Sequence, residues 1–240
     1  MKKIIQISLS VFLLLSNTGI AGEKITLQLK WKHQFQFAGY YAALEKGYYQ
    51  DQGLDVSIVE AREGQIPSDE VLSGNAQFGI AMSDLIALRA KGAPVVALAV
   101  IYQHSPLVLL APRKNNISNI HALQGKKVAL ESHSEELIAY FEAEGVSSNR
   151  MILFPHDYNV SGLITGKIHA MSAYATDEPF ILKQHGISYN VFSPRAGGID
   201  FYGDTLFTTQ QVIDSNPKMV TAFLNASLKG WQYALNNRDE

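Results

Sequence analysis

A strand pattern meets a helix pattern at Trp31-Lys32-His33-Gln34-Phe35-Gln36-Phe37-Ala38-Gly39-Tyr40-Tyr41. The residues just before this run, Ile25–Leu29, alternate apolar and polar side chains, which is typical of a β-strand. Large apolar side chains then recur at helical spacing, at Phe37, Tyr41, Leu44 and Tyr48. The run therefore predicts a strand-to-helix corner, and in open α/β sheets such corners lie at the edge that binds ligands.

The corner carries more polar side chains than a dry core accommodates. Trp31 is followed by His33, Gln34 and Gln36, and a buried position would have to satisfy the hydrogen bonds of all of them. We therefore predict that Trp31, Gln34 and Gln36 face a ligand. For the neighbouring aromatic residues, Phe35, Phe37 and Tyr41, core packing and ligand contact both stay open.

Residues 1–21 have the pattern of a secretory signal peptide. Lys2 and Lys3 precede an apolar run from Ile4 to Leu15, and Gly19-Ile20-Ala21 supplies the small residues of a cleavage site. The apolar run is too short for a comfortable membrane span. We predict export to the periplasm and a mature chain that begins near Gly22 or Glu23.

Composition narrows the classes of partner and chemistry. Without residues 1–21 the chain has 18 basic and 22 acidic side chains, a formal charge of −4, which argues against nucleic acid as a partner. The sequence has no cysteine, which excludes disulfides, thiolate metal sites, cysteine nucleophiles and a lipid-anchored amino terminus. It also has neither a G-x-S-x-G elbow nor an H-E-x-x-H motif. We predict no catalytic residues, no metal site and no cofactor.

Strand and helix signals alternate along the rest of the chain, which predicts βαβ units, parallel sheets and an α/β fold. One pattern occurs twice: a helix ends at glycine and a strand follows at once, at Leu72–Ile80 and again at Ile164–Met171. We therefore predict two similar lobes. The boundaries place the first lobe at residues 23–110, completed by 210–240, and the second at 111–209.

The final helix is predicted to start at Asn216-Pro217, with an apolar stripe at Val220, Leu224, Leu228, Trp231 and Leu235. It reaches Glu240 without a glycine or proline stop, so we expect the natural chain to continue.

Polar side chains follow several of the predicted strands. Facing lobes would bring these strand ends into one cleft, which makes them candidate ligand contacts. Each also fits an ordinary helix cap or turn, and for Asp84 a plain acid in the first turn of a helix is a fair alternative. The candidates are Ser83, Asp84, His104, Tyr174, Glu178, Tyr202 and Asp204.

The corner at residues 31–41, with Glu45–Tyr49 and Gly53–Val56, resembles the opening of the thiamine-pyrimidine and sulfonate branch of periplasmic binding proteins. Val71–Gly74, Phe78–Ile80 and Ser83-Asp84 resemble the next segment of that family. Three later segments resemble a subgroup often fused to sensor kinases or diguanylate cyclases: Gln103–Pro106, Asp177–Phe180 and Gly198–Asp204. The resemblance spans residues 24–240.

The resemblance implies a two-lobed, type II periplasmic binding protein fold that clamps a small molecule. It implies that Trp31 stacks on the ligand ring, that Asp84 and Glu178 accept its hydrogen bonds, and that Tyr174 or Tyr202 forms a second aromatic face. Phe35 and Phe37 stand where binders of thiamine precursors tend to carry small or polar residues. The ligand therefore stays open, with an aminopyrimidine as one candidate.

Three functional classes follow from the resemblance. The first is a solute-binding protein that delivers its ligand to an ABC transporter permease, and the second is the input domain of a fused signalling protein. The third is an enzyme, because some eukaryotic relatives are thiamine-pyrimidine synthases that hold pyridoxal phosphate on a lysine and carry a cysteine-rich iron motif. The absence of cysteine favours binding over this enzymatic alternative.

Overall fold

The structure, a computed structural model, describes residues 22–62, 64–131, 134–157 and 159–240. The predicted signal peptide, residues 1–21, lies outside the described residues. Within them, no helix is both long enough and apolar enough to cross a bilayer.

Strands and helices alternate along the chain. The first part comprises β1 (Glu23–Gln28), α1 (Ala38–Glu45), β2 (Leu54–Val59), α2 (Pro67–Leu72), β3 (Phe78–Ala81), α3 (Asp84–Ala90) and β4 (Val95–Tyr102). The middle comprises β5 (Leu107–Pro112), β6 (Lys127–Leu130), α4 (Glu135–Ala143), β7 (Ile152–Pro155), α5 (Ser161–Thr165), β8 (Ala170–Tyr174), α6 (Glu178–Gln184) and β9 (Tyr189–Phe192). The last part comprises β10 (Gly203–Thr209), α7 (Gln210–Ser215) and α8 (Pro217–Asn236).

The strands form two five-stranded sheets, ordered β2-β1-β3-β10-β4 and β7-β6-β8-β5-β9. Helices pack against both, so the predicted α/β class is confirmed. The duplicated glycine–strand pattern corresponds to β3 and β8, which hold the same third position in their sheets. We call the sheet with β1 and its helices the first lobe, and the sheet with β6 and its helices the second lobe.

Both sheets are mixed, whereas the sequence predicts parallel ones. β10 runs antiparallel to β3 and β4, and β5 runs antiparallel to β8 and β9. In each sheet, the antiparallel strand is the first one that the chain forms after crossing from the other lobe: β5 in the second lobe, and β10 on the return to the first. β5 therefore belongs wholly to the second lobe and β10 to the first, unlike the predicted boundaries at residues 110 and 210. Every residue of β5 and of β10 is buried, as expected for a strand flanked on both sides.

The first lobe is closed by the packing of α8 against α1. Gly230 of α8 lies so close to α1 that a Cβ atom there would be 2.1 Å from the Gly39 carbonyl oxygen. Behind them, the rings of Phe78 and Phe223 stack with centroids 3.8 Å apart, and the Tyr49 ring stacks on Phe223 at 5.1 Å. The large aromatic area in this core is a major source of stability.

The buried face of α8 differs from the predicted stripe. Leu228 and Leu235 are 39% and 57% exposed, while Phe223, Ser227 and Gly230 face inward. The close approach at Gly230 requires a face of small residues, which a search for large apolar side chains overlooks. The predicted helix start is as observed, because the Asn216 side chain accepts a hydrogen bond from the Met219 backbone N–H at 3.1 Å.

Candidate functional site

A narrow pocket lies between the two lobes, at the ends of β1, β6 and β8. We call it the interlobe pocket, and it is lined by Lys30, Trp31, Gln34, Gln36, Glu131, Ser172, Ala173, Tyr174, Asp177 and Glu178. Only about 10 Å³ of it is open to the centre of a water molecule, which is about one water's worth. A ring-sized ligand therefore enters only when the lobes separate.

Trp31 forms one wall of the pocket, directly after β1. Its side chain is buried, and its ring centroid lies 5.4 Å from that of His156 in the second lobe, at an interplanar angle of 58°. His156 Nε2 lies 3.0 Å from the Ser172 carbonyl oxygen. Because a carbonyl only accepts, Nε2 carries the proton, and burial lowers the pKa of His156. The wall is thus an indole held against a neutral imidazole.

The predicted Gln34 and Gln36 both line the pocket and are hydrogen-bonded in sequence. Gln34 Nε2 donates to Gln36 Oε1 at 2.6 Å, and Gln36 Nε2 donates to Asp204 Oδ2 at 2.7 Å. Asp204 is 1% exposed and lies behind the pocket wall. Burial raises the pKa of Asp204. The charge of Lys30 and the hydrogen bonds from Gln36 and Tyr174 act in the opposite direction and lower it. The corner therefore forms an ordered amide chain anchored on a buried carboxyl.

Tyr174 joins the two lobes from the end of β8. Its hydroxyl donates to Asp204 Oδ1 at 2.9 Å and receives a hydrogen bond from Lys30 Nζ at 2.6 Å. The same ammonium lies 4.1 Å from the centroid of the Tyr174 ring, a cation–π distance. Both partners belong to the first lobe, so this tyrosine bridges the lobes as well as lining the pocket.

Carboxyl groups dominate the second-lobe side of the pocket. Glu178, the first residue of α6, accepts a hydrogen bond at Oε2 from the Tyr174 backbone N–H at 2.8 Å, and burial raises its pKa to about 7. Burial also raises the pKa of Asp177. Together with Glu131, the lining residues within the described part of the chain carry three carboxyl groups and one cation, Lys30. Such a wall favours ligands that are cationic or rich in hydrogen-bond donors.

Five predicted residues are not part of the pocket lining: Asp204, which lies behind the wall, and Ser83, Asp84, His104 and Tyr202. Asp84 and Ser83 are buried at the start of α3, where Asp84 Oδ1 accepts from the Met82 backbone N–H at 2.8 Å, a turn-stabilising role. His104 pairs with Asp200 on the exposed surface where the chain crosses between lobes, with Nδ1 2.9 Å from Oδ2. Tyr202 is 58% exposed nearby.

Six residues of the site are not among the residues predicted from the sequence: Lys30, Glu131, His156, Ser172, Ala173 and Asp177. Asp177 was detectable, because it directly precedes Glu178 at a strand end. Glu131 directly follows β6, which is the same signal that identified the other candidates. His156 directly follows β7, and Lys30 lies two residues after the end of β1, so both carry the same signal. Only their contacts with the other lobe, with Trp31 and with Tyr174, mark them as site residues.

A larger groove lies on the first lobe between α1 and the end of α8, with about 440 Å³ open to the centre of a water molecule. It is lined by Phe35, which is 80% exposed, and by the partly buried Tyr41. Phe37, in contrast, is fully buried in the core. The groove shares only Gln34 with the interlobe pocket. Its single carboxyl, Glu240, is paired with Lys46 at 2.5 Å, so the groove lacks the acidic wall of the pocket.

Comparison with known proteins identifies the family. The family described as NMT1/THI5 like matches residues 34–240. The chain belongs to this family. Its relatives in sequence include solute-binding proteins and an enzyme.

The riboflavin-binding protein RibY of Chloroflexus aurantiacus is 25% identical over 91% of this chain and 64% of its own length. The formylaminopyrimidine-binding protein of Halalkalibacterium halodurans is 26% identical, covering 99% of this chain and 76% of that protein. This chain thus spans about two thirds to three quarters of these relatives. Family members also include an enzyme, the 4-amino-5-hydroxymethyl-2-methylpyrimidine phosphate synthase THI13 of Saccharomyces cerevisiae, 24% identical over 89% of this chain and 67% of its own.

The fold is that of periplasmic binding proteins. The structure of the periplasmic aliphatic sulphonate binding protein SsuA from Escherichia coli superposes with a TM-score of 0.65. The identity is 16%, and the match covers 90% of this chain and 75% of that protein. The predicted two-lobed periplasmic binding protein fold is therefore confirmed.

Proposed function

We propose that this chain is an exported solute-binding domain that closes on a small, planar ligand bearing amino groups, with an aminopyrimidine as the leading candidate. The observation that carries the proposal is the interlobe pocket itself. An indole from the first lobe, Trp31, and a carboxyl from the second, Glu178, line the same narrow space. A flat ring with amino substituents satisfies both walls at once.

The two walls supply different contributions. Stacking of a ring on an indole adds on the order of 1 kcal/mol beyond the burial of area. A carboxyl that accepts from an amino group avoids the cost of about 1–3 kcal/mol that a buried, unmatched partner would carry. Because the ligand touches both lobes, its binding favours the closed arrangement over the open one.

The named relatives support a nitrogen-bearing ring more than a sulfonate. Formylaminopyrimidine and riboflavin both present flat, nitrogen-rich rings. A sulfonate carries a fixed negative charge and would face three carboxyl groups, with Lys30 as the single cation among the lining residues that the structure describes. We therefore place the ligand on the aminopyrimidine side of the family.

The signal pattern of residues 1–21 supports export to the periplasm, where a binding protein delivers its ligand to an ABC transporter permease or to a fused signalling module. Amino-terminal sequencing of the protein from the periplasmic fraction is expected to begin near Gly22 or Glu23. A cytosolic protein that retains Met1 would contradict export.

The enzymatic alternative rests on the yeast synthase as a relative. Pyridoxal phosphate, the cofactor of that alternative, does not fit the interlobe pocket well. Its phosphate would meet three carboxyl groups, and the one lysine among the described lining residues, Lys30, is bound to Tyr174 across the lobes. The sequence also lacks the cysteines of an iron motif. We therefore favour binding without catalysis.

Calorimetric titration of the wild-type protein against aminopyrimidines, amino acids and sulfonates tests the proposal. Trp31→Ala and Glu178→Gln should each weaken aminopyrimidine binding about tenfold or more. Trp31→Phe keeps an aromatic face and should lose less, and the exposed Glu142→Gln serves as the matched control for charge. Wild-type affinity in both Trp31→Ala and Glu178→Gln, or tightest binding to a sulfonate, would refute the assignment.

A further inference from the structure

We infer that Glu131 is the residue that selects for an amino group on the ligand. The inference rests on the proposed function and narrows it to rings that carry an N–H donor directed at the second lobe. Glu131 is not among the candidates predicted from the sequence, and the family resemblance assigns it no role.

Two hydrogen bonds to serine side chains hold the backbone of Glu131 in place. Its N–H donates to Ser172 Oγ at 2.8 Å, and its carbonyl oxygen accepts from Ser134 Oγ at 2.8 Å. Ser172 is fully buried in the central strand β8. These two bonds fix the backbone from which the carboxyl reaches into the interlobe pocket, so the group is positioned before a ligand arrives.

The side chain of Glu131 carries a hydrogen-bond acceptor that nothing in the described residues uses. Its Oε1 is buried and has no hydrogen-bond partner. Native structures leave few buried polar atoms unmatched, and such an atom in a binding pocket is a candidate acceptor for a ligand donor. Glu178 differs, because its Oε2 is already taken by the Tyr174 backbone N–H.

Among the described residues, no donor lies within hydrogen-bonding distance of Glu131 Oε1. Of those that line the pocket, one is a cation, Lys30, and its ammonium donates to the Tyr174 hydroxyl at 2.6 Å. The negative charge of Glu131 also acts on its neighbours, because it contributes to the raised pKa of Glu178, Glu136 and Asp204. An ionised carboxylate only accepts hydrogen bonds, so the matching ligand group is a donor.

A pair of probes distinguishes this role from a general one. The first is 4-amino-5-hydroxymethyl-2-methylpyrimidine, and the second is the same ring without the 4-amino group. In calorimetric titration the wild type should bind the amino compound about tenfold more tightly or better. Glu131→Gln should bind the amino compound about tenfold more weakly and lose most of the preference, while Glu142→Gln should retain both.

The stability of the ligand-free protein gives an independent measurement. If Glu131 serves the ligand, Glu131→Gln should leave the midpoint of thermal unfolding unchanged or raise it, because an unmatched carboxylate is removed. A lowered midpoint together with an unchanged preference between the two probes would assign Glu131 a structural role and overturn the inference.

The two proposals fail in different ways. If Trp31→Ala weakens binding of both probes but Glu131→Gln keeps the wild-type preference, the clamp stands and only the role of Glu131 is wrong. If neither probe binds the wild type, the proposed ligand class is wrong and the inference falls with it.

Discussion

The hydroxyl of Tyr174, from the second lobe, donates a 2.9 Å hydrogen bond to the carboxyl of Asp204, from the first. Both residues are buried, and Asp204 has a φ of 46°, in the left-handed region that few non-glycine residues adopt. Backbone strain of this kind persists where the surrounding structure imposes it, often at functional sites. Together with Lys30, the pair holds the lobes in the closed arrangement around the interlobe pocket.

Replacing Tyr174 with Phe should therefore loosen the closed arrangement. The variant keeps the ring but removes the hydroxyl that donates to Asp204 Oδ1 and accepts from Lys30 Nζ, which should cost about 1–3 kcal/mol of unfolding free energy. We also expect a larger radius of gyration for the ligand-free protein in small-angle X-ray scattering. The matched control is Tyr202→Phe, since Tyr202 is exposed on the segment that joins the lobes. Equal effects of the two variants would contradict a special role for Tyr174.

Sequence reasoning identified the fold class because the signals it used are local. The corner at Trp31 and the two glycine–strand patterns depend on neighbours within about ten residues, and both correspond to observed elements. β9 and β10 were not predicted. β10 is an interior, buried strand, yet it contains polar residues at Asp204 and Thr208 and shows neither alternation nor a continuous apolar run.

The site was predictable only in part, for a similar reason. Trp31, Gln34, Gln36, Tyr174 and Glu178 follow strands and do line the interlobe pocket. Position after a strand does not show where a side chain points. Asp84 also follows β3, but its carboxyl turns back and accepts a hydrogen bond from the Met82 backbone N–H. Lys30 meets Tyr174 across 144 residues of sequence, and no local pattern announces such a pair.

Stability should depend on pH through two buried glutamates. Burial raises the pKa of Glu136 and of Glu178 to about 7, above the value near 4.5 in the unfolded chain. The folded state thus favours the protonated form, and the resulting stability is present below pH 4.5 and lost as the pH rises to about 7. Each group should contribute on the order of 1–3 kcal/mol to this loss.

Urea denaturation at pH 5 and pH 8 measures the effect. The buried His156 acts in the opposite direction, because burial lowers its pKa and favours the neutral form at higher pH. Comparison with Glu136→Gln isolates the glutamate contribution, and this variant should show a smaller loss between pH 5 and pH 8 than the wild type. An identical loss in both proteins would show that Glu136 ionises normally.

The contact between α1 and α8 predicts that Gly230→Ala destabilises the first lobe. In an open helix, replacing glycine with alanine stabilises by about 1 kcal/mol. Here the new Cβ would lie 2.1 Å from the Gly39 carbonyl oxygen, so the helices must separate, at a cost of about 1–3 kcal/mol or more. The control is Asn225→Ala on the exposed face of α8, which should be neutral or slightly stabilising. A higher midpoint of thermal unfolding for Gly230→Ala than for the wild type would contradict the tight packing.

Asp204 offers a comparison between shape and hydrogen bonding at the lobe junction. Asparagine tolerates the left-handed backbone and still offers an oxygen to Gln36 or Tyr174, so Asp204→Asn should cost about 1 kcal/mol. Alanine is strained at this φ and leaves both donors unmatched, so Asp204→Ala should cost about 2–4 kcal/mol.

A double-mutant cycle of Asp204→Asn with Tyr174→Phe, followed by urea denaturation, should give a coupling of about 0.5–3 kcal/mol, because the two residues share a hydrogen bond. Strict additivity of the two substitutions would mean that the bond across the lobes does not contribute to holding them together.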